Sequence, residues 1–366
     1  MLQTRVNSGL DGVIVADTVM SEVDGEAGRL IVRGHAIEEL VASRGFEGVA
    51  ALLWDGFAPS DQGGGGDGRA VREGFASARV RAFAEVPKLL QAAKGLTPVE
   101  GLRVGLGMLA DSELTPHHYL VCGALPVFLA ALLRASEGKS ALAPDPTLTT
   151  AQDLLRMIRG RRADAVFEKG LDAYLATITD HGFNASTFTA RVVASTHAGL
   201  ISSVLAGLCA LKGPLHGGAP GPVLDMFDEI GSLERASAWF DDAFSKGTTL
   251  MGFGHRIYKV RDPRADVLKN TVATLPQTAG RLAFAVEVEK SAIAALRRYK
   301  PGRRLDTNVE YYTALLLEAL EVPRSAFTAL FAVGRAAGWC AHIFEQEKGG
   351  RIIRPQSNYI GSRPIT

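Results

Sequence analysis

Apolar residues that recur about every 3.6 positions dominate this sequence and limit what the chain can fold into. That period places apolar side chains on one face of a helix, whereas a half-buried strand alternates with a period of two. The sequence therefore predicts an all-α fold. The helical pattern occupies residues 36–57, 126–135, 151–158, 187–211, 281–299, 310–320 and 325–348.

Strand-like alternation is confined to the N-terminal region, near residues 12–32. There VIVADT and RLIVRG flank the turn-forming sequence VDGEAG, which predicts a small β element. Stretches rich in Gly, Pro or Ser predict loops between the helices, and the last of them is too rich in Gly and Pro to be helical. These loops are 60–68, 136–147 and 217–222.

The bulk composition excludes several classes of function. The 366 residues suggest about two domains, and 40 basic against 39 acidic residues give a net charge of +1. A general nucleic-acid or membrane-surface binder would carry a larger positive excess. The three cysteines lack CxxC spacing, so we expect neither a metal site nor a disulfide framework. With no secretory signal pattern and no uninterrupted apolar run of membrane-spanning length, the sequence predicts a cytoplasmic protein.

Three of the eight histidines have contexts that favour a functional role. His216 and His255 each lie beside glycines in a break between helical segments, where a ligand can approach the backbone closely. His181 stands between Asp180 and Gly182, so either the aspartate orients the imidazole or the glycine simply ends a helix. Structural positions are the better interpretation for the other five: His35 in a loop, His117 and His118 at a helix start, and His197 and His342 within helices.

For two arginines, the sequence context bears on whether the positive charge is paired with an anion or exposed to solvent. Arg335 lies in an apolar, small-residue helical segment, where a buried guanidinium needs an anionic partner. A structural carboxylate would serve, and so would a dicarboxylate substrate held with bidentate geometry. Arg354 lies near the end of the chain, where an exposed tail is the simplest interpretation.

The stretch 251–264, MGFGHRIYKVRDPR, combines a histidine with crowded cations. It is either a solvated turn or a place where an anion is held against an imidazole, and Arg264 is its best-anchored cation because Asp262-Pro263 precedes it. Further on, Asn308 is a predicted N-cap that places Glu310 in the first turn of a helix. That position favours acidic side chains in any protein, and it also suits a general base.

Five motifs in a fixed order carry a family resemblance. They are GPLHGGA at 213–219, GFGHRIYKVRDPR at 252–264, NVEYY at 308–312, Gly-Arg at 334–335 and Arg-Pro at 354–355. Together they resemble the citrate synthase family, and so do the N-terminal run GVIVADT…VDGEAGRLIVRG and the segment DHGFNASTFTARVVAS. The resemblance covers nearly the whole chain apart from the loops at 60–68 and 136–147.

The resemblance implies an all-α homodimer whose subunits each contain two helical domains, with the active site between them. The large domain would comprise residues 1–217 and 322–366, and the small, mobile domain residues 218–321. Closure of the small domain would assemble the site. The implied reaction condenses oxaloacetate with acetyl-CoA and water to give citrate and CoA through citryl-CoA. No cofactor would be permanently bound, since the acyl-CoA is a co-substrate, and no metal is required.

The resemblance also implies roles for individual residues. His216, His255 and Glu310 match the catalytic residues. His181, Arg264 and Arg335 match residues that bind oxaloacetate, and Arg354 matches the arginine that completes the site of the other subunit. Coenzyme A phosphates would contact Lys259 and Arg256.

Departures from the family's pattern leave the acyl substrate open. Glu310 stands where members commonly have Asp, Thr307 where a proline often precedes the Asn, and Ala219-Pro-Gly-Pro222 where Ala-Asn-Glu is frequent. One alternative is a 2-methylcitrate synthase that uses propionyl-CoA, because a methylene is worth only about 1–3 kcal/mol in an apolar pocket. The other is a weakly active paralogue that binds these ligands. A nucleic-acid binder is disfavoured by the near-zero net charge.

Overall fold

Helices make up most of the chain, which confirms the predicted all-α fold with a small strand element. The computed structural model describes residues 9–58, 68–112, 114–217, 220–276 and 278–364. In that part the helices are α1 (Ile37–Ser43), α2 (Gly45–Trp54), α3 (Arg69–Phe83), α4 (Val86–Ala92), α5 (Pro98–Gly107), α6 (His117–Ser136), α7 (Thr150–Arg159), α8 (Ala165–Ile178), α9 (Ala185–Ala194), α10 (Leu200–Leu211), α11 (Pro220–Ile230), α12 (Leu233–Ser245), α13 (Pro263–Thr274), α14 (Ala279–Tyr299), α15 (Val309–Ala319) and α16 (Phe327–Gly349).

The N-terminal β element is a three-stranded antiparallel sheet in the order β1 (Ser21–Asp24), β2 (Arg29–Val32) and β3 (His35–Ala36). RLIV is a strand as predicted, but its partner is SEVD and not VIVADT, which has no regular secondary structure. Ile14 within VIVADT is 88% exposed, so a strand at this position would gain no stability from packing its side chains against the core. His35, predicted in a loop, lies in the short third strand.

One long predicted helix, 187–211, is divided into α9 and α10. His197 and Gly199 in the connecting turn have φ values of 56° and 89°, which no α-helix can accommodate. His197 therefore lies in a turn, and the prediction that it lies within a helix was wrong. The predicted helix at 36–57 is likewise divided, into α1 and α2, where Gly45 has a φ of 65°.

The loop predictions were correct in part. Residues 137–147 contain no helix, whereas most of the predicted loop at 60–68 lies outside the described residues. The prediction that 217–222 is not helical was wrong at its end, because α11 begins at Pro220. Prolines are tolerated in the first turn of a helix, where their missing N–H would have no intrahelical partner. Gly218 and Ala219 lie outside the described residues.

The central helices of the core are α6 and α16. Within the described residues, these are the two helices long and apolar enough to cross a membrane by length and composition, and they are mostly buried inside the protein. Glycines on α16 allow α8 to approach its backbone. A Cβ at Gly334 would lie 2.7 Å from Ile178 Cγ1, and a Cβ at Gly338 would lie 2.0 Å from the Thr179 carbonyl oxygen. This close crossing brings Arg335 against the end of α8.

Candidate active site

The end of α8 presents a buried histidine. His181 lies three residues beyond the helix, and its Nε2 is 3.3 Å from the Tyr258 hydroxyl. Gly182 has a φ of 59°, the left-handed conformation that the helix-ending interpretation predicts. The described partner of the His181 ring is the Tyr258 hydroxyl, whereas Asp180 accepts from His342 and Ser21, so the aspartate does not orient this imidazole through a direct hydrogen bond.

A polar network behind this turn fixes its orientation. Asp180 accepts from His342 Nε2 at 3.0 Å, and Ser21 Oγ, which accepts from the Gly182 N–H at 2.9 Å, donates to the same carboxylate. Arg191 donates to His342 Nδ1 at 3.1 Å, so the hydrogen of that imidazole is on Nε2. His342 is a satisfied core residue within a helix, as predicted.

Backbone geometry around His255 determines its tautomer. The N–H groups of Ile257 and Tyr258 donate to His255 Nδ1 at 3.0 and 3.2 Å, which leaves the hydrogen of the neutral ring on Nε2. Gly254, with a φ of 81°, permits the turn, since a Cβ there would lie 2.9 Å from Leu305 Cδ2. Burial, followed by the charge of Arg264, lowers the pKa of His255 to about 4. The ring is therefore neutral at physiological pH.

His216 lies between α10 and α11, against the start of α9. Its Nε2 is 3.3 Å from the Ser186 N–H and 2.8 Å from Ser186 Oγ. A backbone N–H can only donate, so Nε2 is the acceptor and the ring hydrogen is on Nδ1. Burial and then the charge of Arg335 lower the pKa of His216 to about 4. This histidine too is neutral, with its ring N–H on Nδ1.

Glu310 is a partly buried carboxylate in the first turn of α15. Asn308 caps that helix and accepts from the Glu310 N–H at 3.0 Å, as predicted. Glu310 Oε2 is buried and has no hydrogen-bond partner within the described part of the chain. Burial raises the pKa of Glu310 to about 7, although the nearby Arg264 charge opposes that rise. The residue can therefore exchange a proton near neutral pH.

The two buried arginines differ in what neutralises them. Arg264 pairs with Asp262, its Nε at 3.1 Å from Oδ1 and its Nη2 at 2.7 Å from Oδ2. Arg335 Nε donates to the Ile178 carbonyl at 2.6 Å, and its guanidinium lies over the Phe331 ring. No described carboxylate lies within ion-pair distance of Arg335, and burial lowers its pKa to about 10. A structural carboxylate, one of the two partners considered for Arg335, is thus not in contact with it.

Electrostatics shows which predicted residues lie together. Burial lowers the pKa of His181 well below its usual value, and the proximity of Arg264, His255, Arg335 and His216 acts in the same direction. Glu310 interacts with the same two arginines. These six side chains therefore form one cluster, which we call the histidine–arginine cluster: His181, His216, His255, Arg264, Glu310 and Arg335.

Three predicted site residues are not brought into this cluster. Arg354 is exposed in the C-terminal segment that follows α16. Arg256 is exposed and donates to Asp11 and to the Gly9 carbonyl oxygen, the latter at 2.6 Å. Lys259 is exposed, and its backbone N–H donates to the Gly25 carbonyl at 2.9 Å.

Sequence reasoning missed several residues that support the cluster. Tyr258 contacts His181, Ser186 contacts His216, and Asp262 neutralises Arg264. Asp262 and Tyr258 stood within the stretch at 251–264, so a search for partners of its cations and histidine could have found them. Tyr174 is fully buried, and its hydroxyl has no partner in the described structure. No sequence signal pointed to it, because it occupies an ordinary apolar position in a helical pattern.

A separate cavity of about 500 Å³ lies among the N-terminal ends of α2, α3, α7 and α8. None of the predicted site residues lines it. Two of its carboxylates serve helix ends, since Glu47 accepts from the Thr150 N–H and Asp172 from the Phe46 N–H. We therefore regard it as separate from the histidine–arginine cluster. No group of metal-ligating side chains occurs in the part of the chain that the structure describes.

An all-α protein with neutral histidines, a buried carboxylate and two buried guanidiniums is suited to acid–base chemistry on an anionic substrate. The family described as "Citrate synthase, C-terminal domain" matches residues 9–356. "Putative citrate synthase 2" of Mycobacterium tuberculosis is 36% identical over 364 residues, covering 97% of this chain and 93% of that protein. Citrate synthase of Mycolicibacterium smegmatis is 34% identical, covering 98% and 96%. The chain belongs to the citrate synthase family.

Solved structures agree with this assignment. Citrate synthase from Thermotoga maritima has a TM-score of 0.86 and 32% identity, covering 99% of this chain and 97% of that one. The Thermoplasma acidophilum enzyme, solved in a ternary complex with carboxymethyl coenzyme A and oxaloacetate, has the same TM-score at 27% identity, again covering 99% and 97%.

Proposed function

We propose that this protein condenses oxaloacetate with acetyl-CoA and water to give citrate and CoA. The observation that carries the proposal is the Glu310 carboxylate, which has a buried oxygen without a partner among the described residues and a pKa of about 7 in the field of two buried arginines. The relative from Thermoplasma acidophilum, which binds oxaloacetate together with a CoA analogue, supports the same substrates here.

Oxaloacetate would bind through its two carboxylates. The buried Arg335, which no carboxylate contacts in the described part of the chain, supplies the charge for one of them. Arg264 contributes to the other through Nη1, which takes no part in its pairing with Asp262. The ketone oxygen would accept from His255 Nε2–H, whose position follows from the bonds to Nδ1. His181, held by Tyr258, lies beside it with the ring centroids 5.2 Å apart.

Enolisation of the thioester would use Glu310 and His216. The Glu310 carboxylate removes a proton from the acetyl methyl group, and the electron pair of that C–H bond delocalises onto the thioester oxygen. His216 Nδ1–H donates to that oxygen and stabilises its developing charge. A neutral imidazole suffices for this role, and the lowered pKa keeps His216 neutral.

The enol carbon would then attack the ketone carbon of oxaloacetate. As that carbon–carbon bond forms, the ketone oxygen takes a proton delivered through His255 and becomes the tertiary hydroxyl of citryl-CoA. Water adds to the thioester carbonyl, the carbon–sulfur bond breaks, and citrate and CoA leave. The protons balance: the methyl proton held by Glu310 replaces the one given through His255, one proton of the water goes to the CoA thiolate, and one proton is released when the new carboxyl group ionises.

The domain division and the remaining contacts belong to the same proposal. Residues 1–217 and 322–366 would form the large domain and residues 218–321 the small domain, which carries His255 and Glu310 and closes over the substrates. Lys259 and Arg256 would bind CoA phosphates. Arg354 would complete the site of a second subunit in a cytoplasmic homodimer, and light scattering that finds only monomer would remove that role.

Thiol release tests the reaction directly. We expect acetyl-CoA to release CoA only when oxaloacetate is present, and we expect kcat/KM to be higher for acetyl-CoA than for propionyl- or butyryl-CoA at equal concentration. A larger value for propionyl-CoA would identify a 2-methylcitrate synthase instead. No release, together with a rise in Tm on adding oxaloacetate or CoA, would identify a ligand-binding paralogue.

The raised pKa of Glu310 predicts an acid limit to activity. Only the ionised carboxylate can accept the methyl proton, and burial raises its pKa to about 7, so kcat/KM for acetyl-CoA should fall as the pH falls through 7. Below that value we expect about a tenfold loss per pH unit. His216 and His255, whose pKa values are lowered to about 4, should not contribute above pH 5. A flat profile down to pH 5.5 would contradict this assignment.

A further inference from the structure

A single buried carboxylate, that of Glu289 on α14, accepts three short hydrogen bonds. Its Oε1 accepts from Thr307 Oγ1 at 2.5 Å and from Arg261 Nη1 at 2.5 Å, and its Oε2 accepts from the Tyr312 hydroxyl at 2.6 Å. Glu289 is only 4% exposed. Charge-assisted bonds of this kind are roughly twice as strong as neutral ones, so the three donors are held firmly to one point.

Each donor lies within three residues, along the chain, of a member of the histidine–arginine cluster. Thr307 and Tyr312 flank Glu310 at the start of α15, and Arg261 directly precedes the Asp262 that pairs with Arg264. Glu289 itself contacts none of the cluster residues through a described hydrogen bond. It therefore acts on the cluster only through its three donors.

The segment around Thr307 also fixes the loop that carries His255. The Gly254 N–H donates to the Asp306 carbonyl at 2.7 Å, and Asn308 Nδ2 donates to the Gly254 carbonyl at 2.8 Å. The Asp262 N–H donates to the Thr307 carbonyl at 3.1 Å. Displacement of Thr307 would thus shift the loop before His255 and the start of α15 together.

We propose that Glu289 and Thr307 are positioning residues that set where the Glu310 carboxylate lies relative to His255. The proposal rests on the roles proposed above for Glu310 and His255. Two departures of this chain from the family's sequence pattern meet here, Glu310 in place of aspartate and Thr307 in place of proline. Thr307 supplies two groups that proline lacks, a hydroxyl that donates to Glu289 and an N–H that donates to Asp306 Oδ1 at 2.7 Å.

The test compares Thr307→Val, which keeps the shape but removes the hydroxyl, with Thr307→Ser, which keeps the hydroxyl. For Thr307→Val we expect kcat to fall about tenfold while KM for oxaloacetate stays within about twofold, since only the reacting geometry changes. Thr307→Ser should recover kcat to within about threefold of the native value. Glu289→Gln should lower kcat in the same way, because it weakens all three bonds at once.

A control on the same helix is Glu287→Gln, which alters an exposed carboxylate paired with Lys290 and should leave kcat unchanged. The proposal is overturned if Thr307→Val retains kcat within about twofold, or if Thr307→Ser loses as much kcat as Thr307→Val. Loss of kcat in all of these variants in proportion to a lowered Tm would also overturn it. Failure of the proposed function is distinct, because the native protein would then show no oxaloacetate-dependent thiol release.

Discussion

Glu310→Gln should lower kcat for condensation on the order of 1,000-fold, the scale expected when a general base is removed. Glutamine keeps the shape of the side chain but cannot accept the methyl proton. Oxaloacetate should still bind, with Kd within about threefold of the native value, because the arginines are unchanged. Thiol release measures the first effect, and titration calorimetry with oxaloacetate measures the second.

The folded protein should tolerate this change. Burial raises the pKa of Glu310 above its ordinary value, so the ionised form destabilises the folded state above pH 7, and a neutral side chain should not lower Tm. Glu318→Gln, on the same helix and paired with Arg281, is the matched control and should keep full activity. Native turnover by Glu310→Gln would mean that another group removes the proton.

Arg335→Gln should weaken oxaloacetate binding about 100-fold, equivalent to about 3 kcal/mol for loss of one partner of a buried charge pair. Arg335 is 1% exposed, and no described carboxylate contacts it, so a substrate carboxylate would be its principal counter-charge. KM for oxaloacetate should rise far more than KM for acetyl-CoA. Steady-state kinetics with each substrate varied in turn separates the two.

Measurement of Tm distinguishes a loss of oxaloacetate binding from misfolding of the variant. Because burial lowers the pKa of Arg335 to about 10, the charged guanidinium is itself unfavourable in the folded state, and its removal should change Tm by no more than a few degrees. Arg324→Gln, which removes a surface pair with Asp225 and Asp228 just before α16, serves as the control and should leave KM unchanged. An unaltered oxaloacetate KM in Arg335→Gln would exclude Arg335 from substrate binding.

Local sequence patterns predicted most helices but not their breaks. The apolar period identified the segment 187–211 as helical, yet the turn at 195–199 depends on left-handed residues whose conformation the tertiary packing imposes. Similarly, RLIV has strand character in the sequence, whereas the choice of SEVD over VIVADT as its partner was not evident. The hydrogen bonds of Ser21 to Asp180 and Gly182, at the end of α8, hold β1 in place.

The sequence by itself determined the helical class, the family and the identities of the residues that form the histidine–arginine cluster, because these follow from local periodicity and short motifs. Only the tertiary structure decided which charges have partners. It paired Asp262 with Arg264, and among the residues that the structure describes it left Arg335 without a contacting carboxylate and one oxygen of Glu310 without a hydrogen-bond partner. The physical reason is that desolvation and pairing depend on segments distant in the chain, so the shifted pKa values of His216, His255 and Glu310 arise only when those segments pack together.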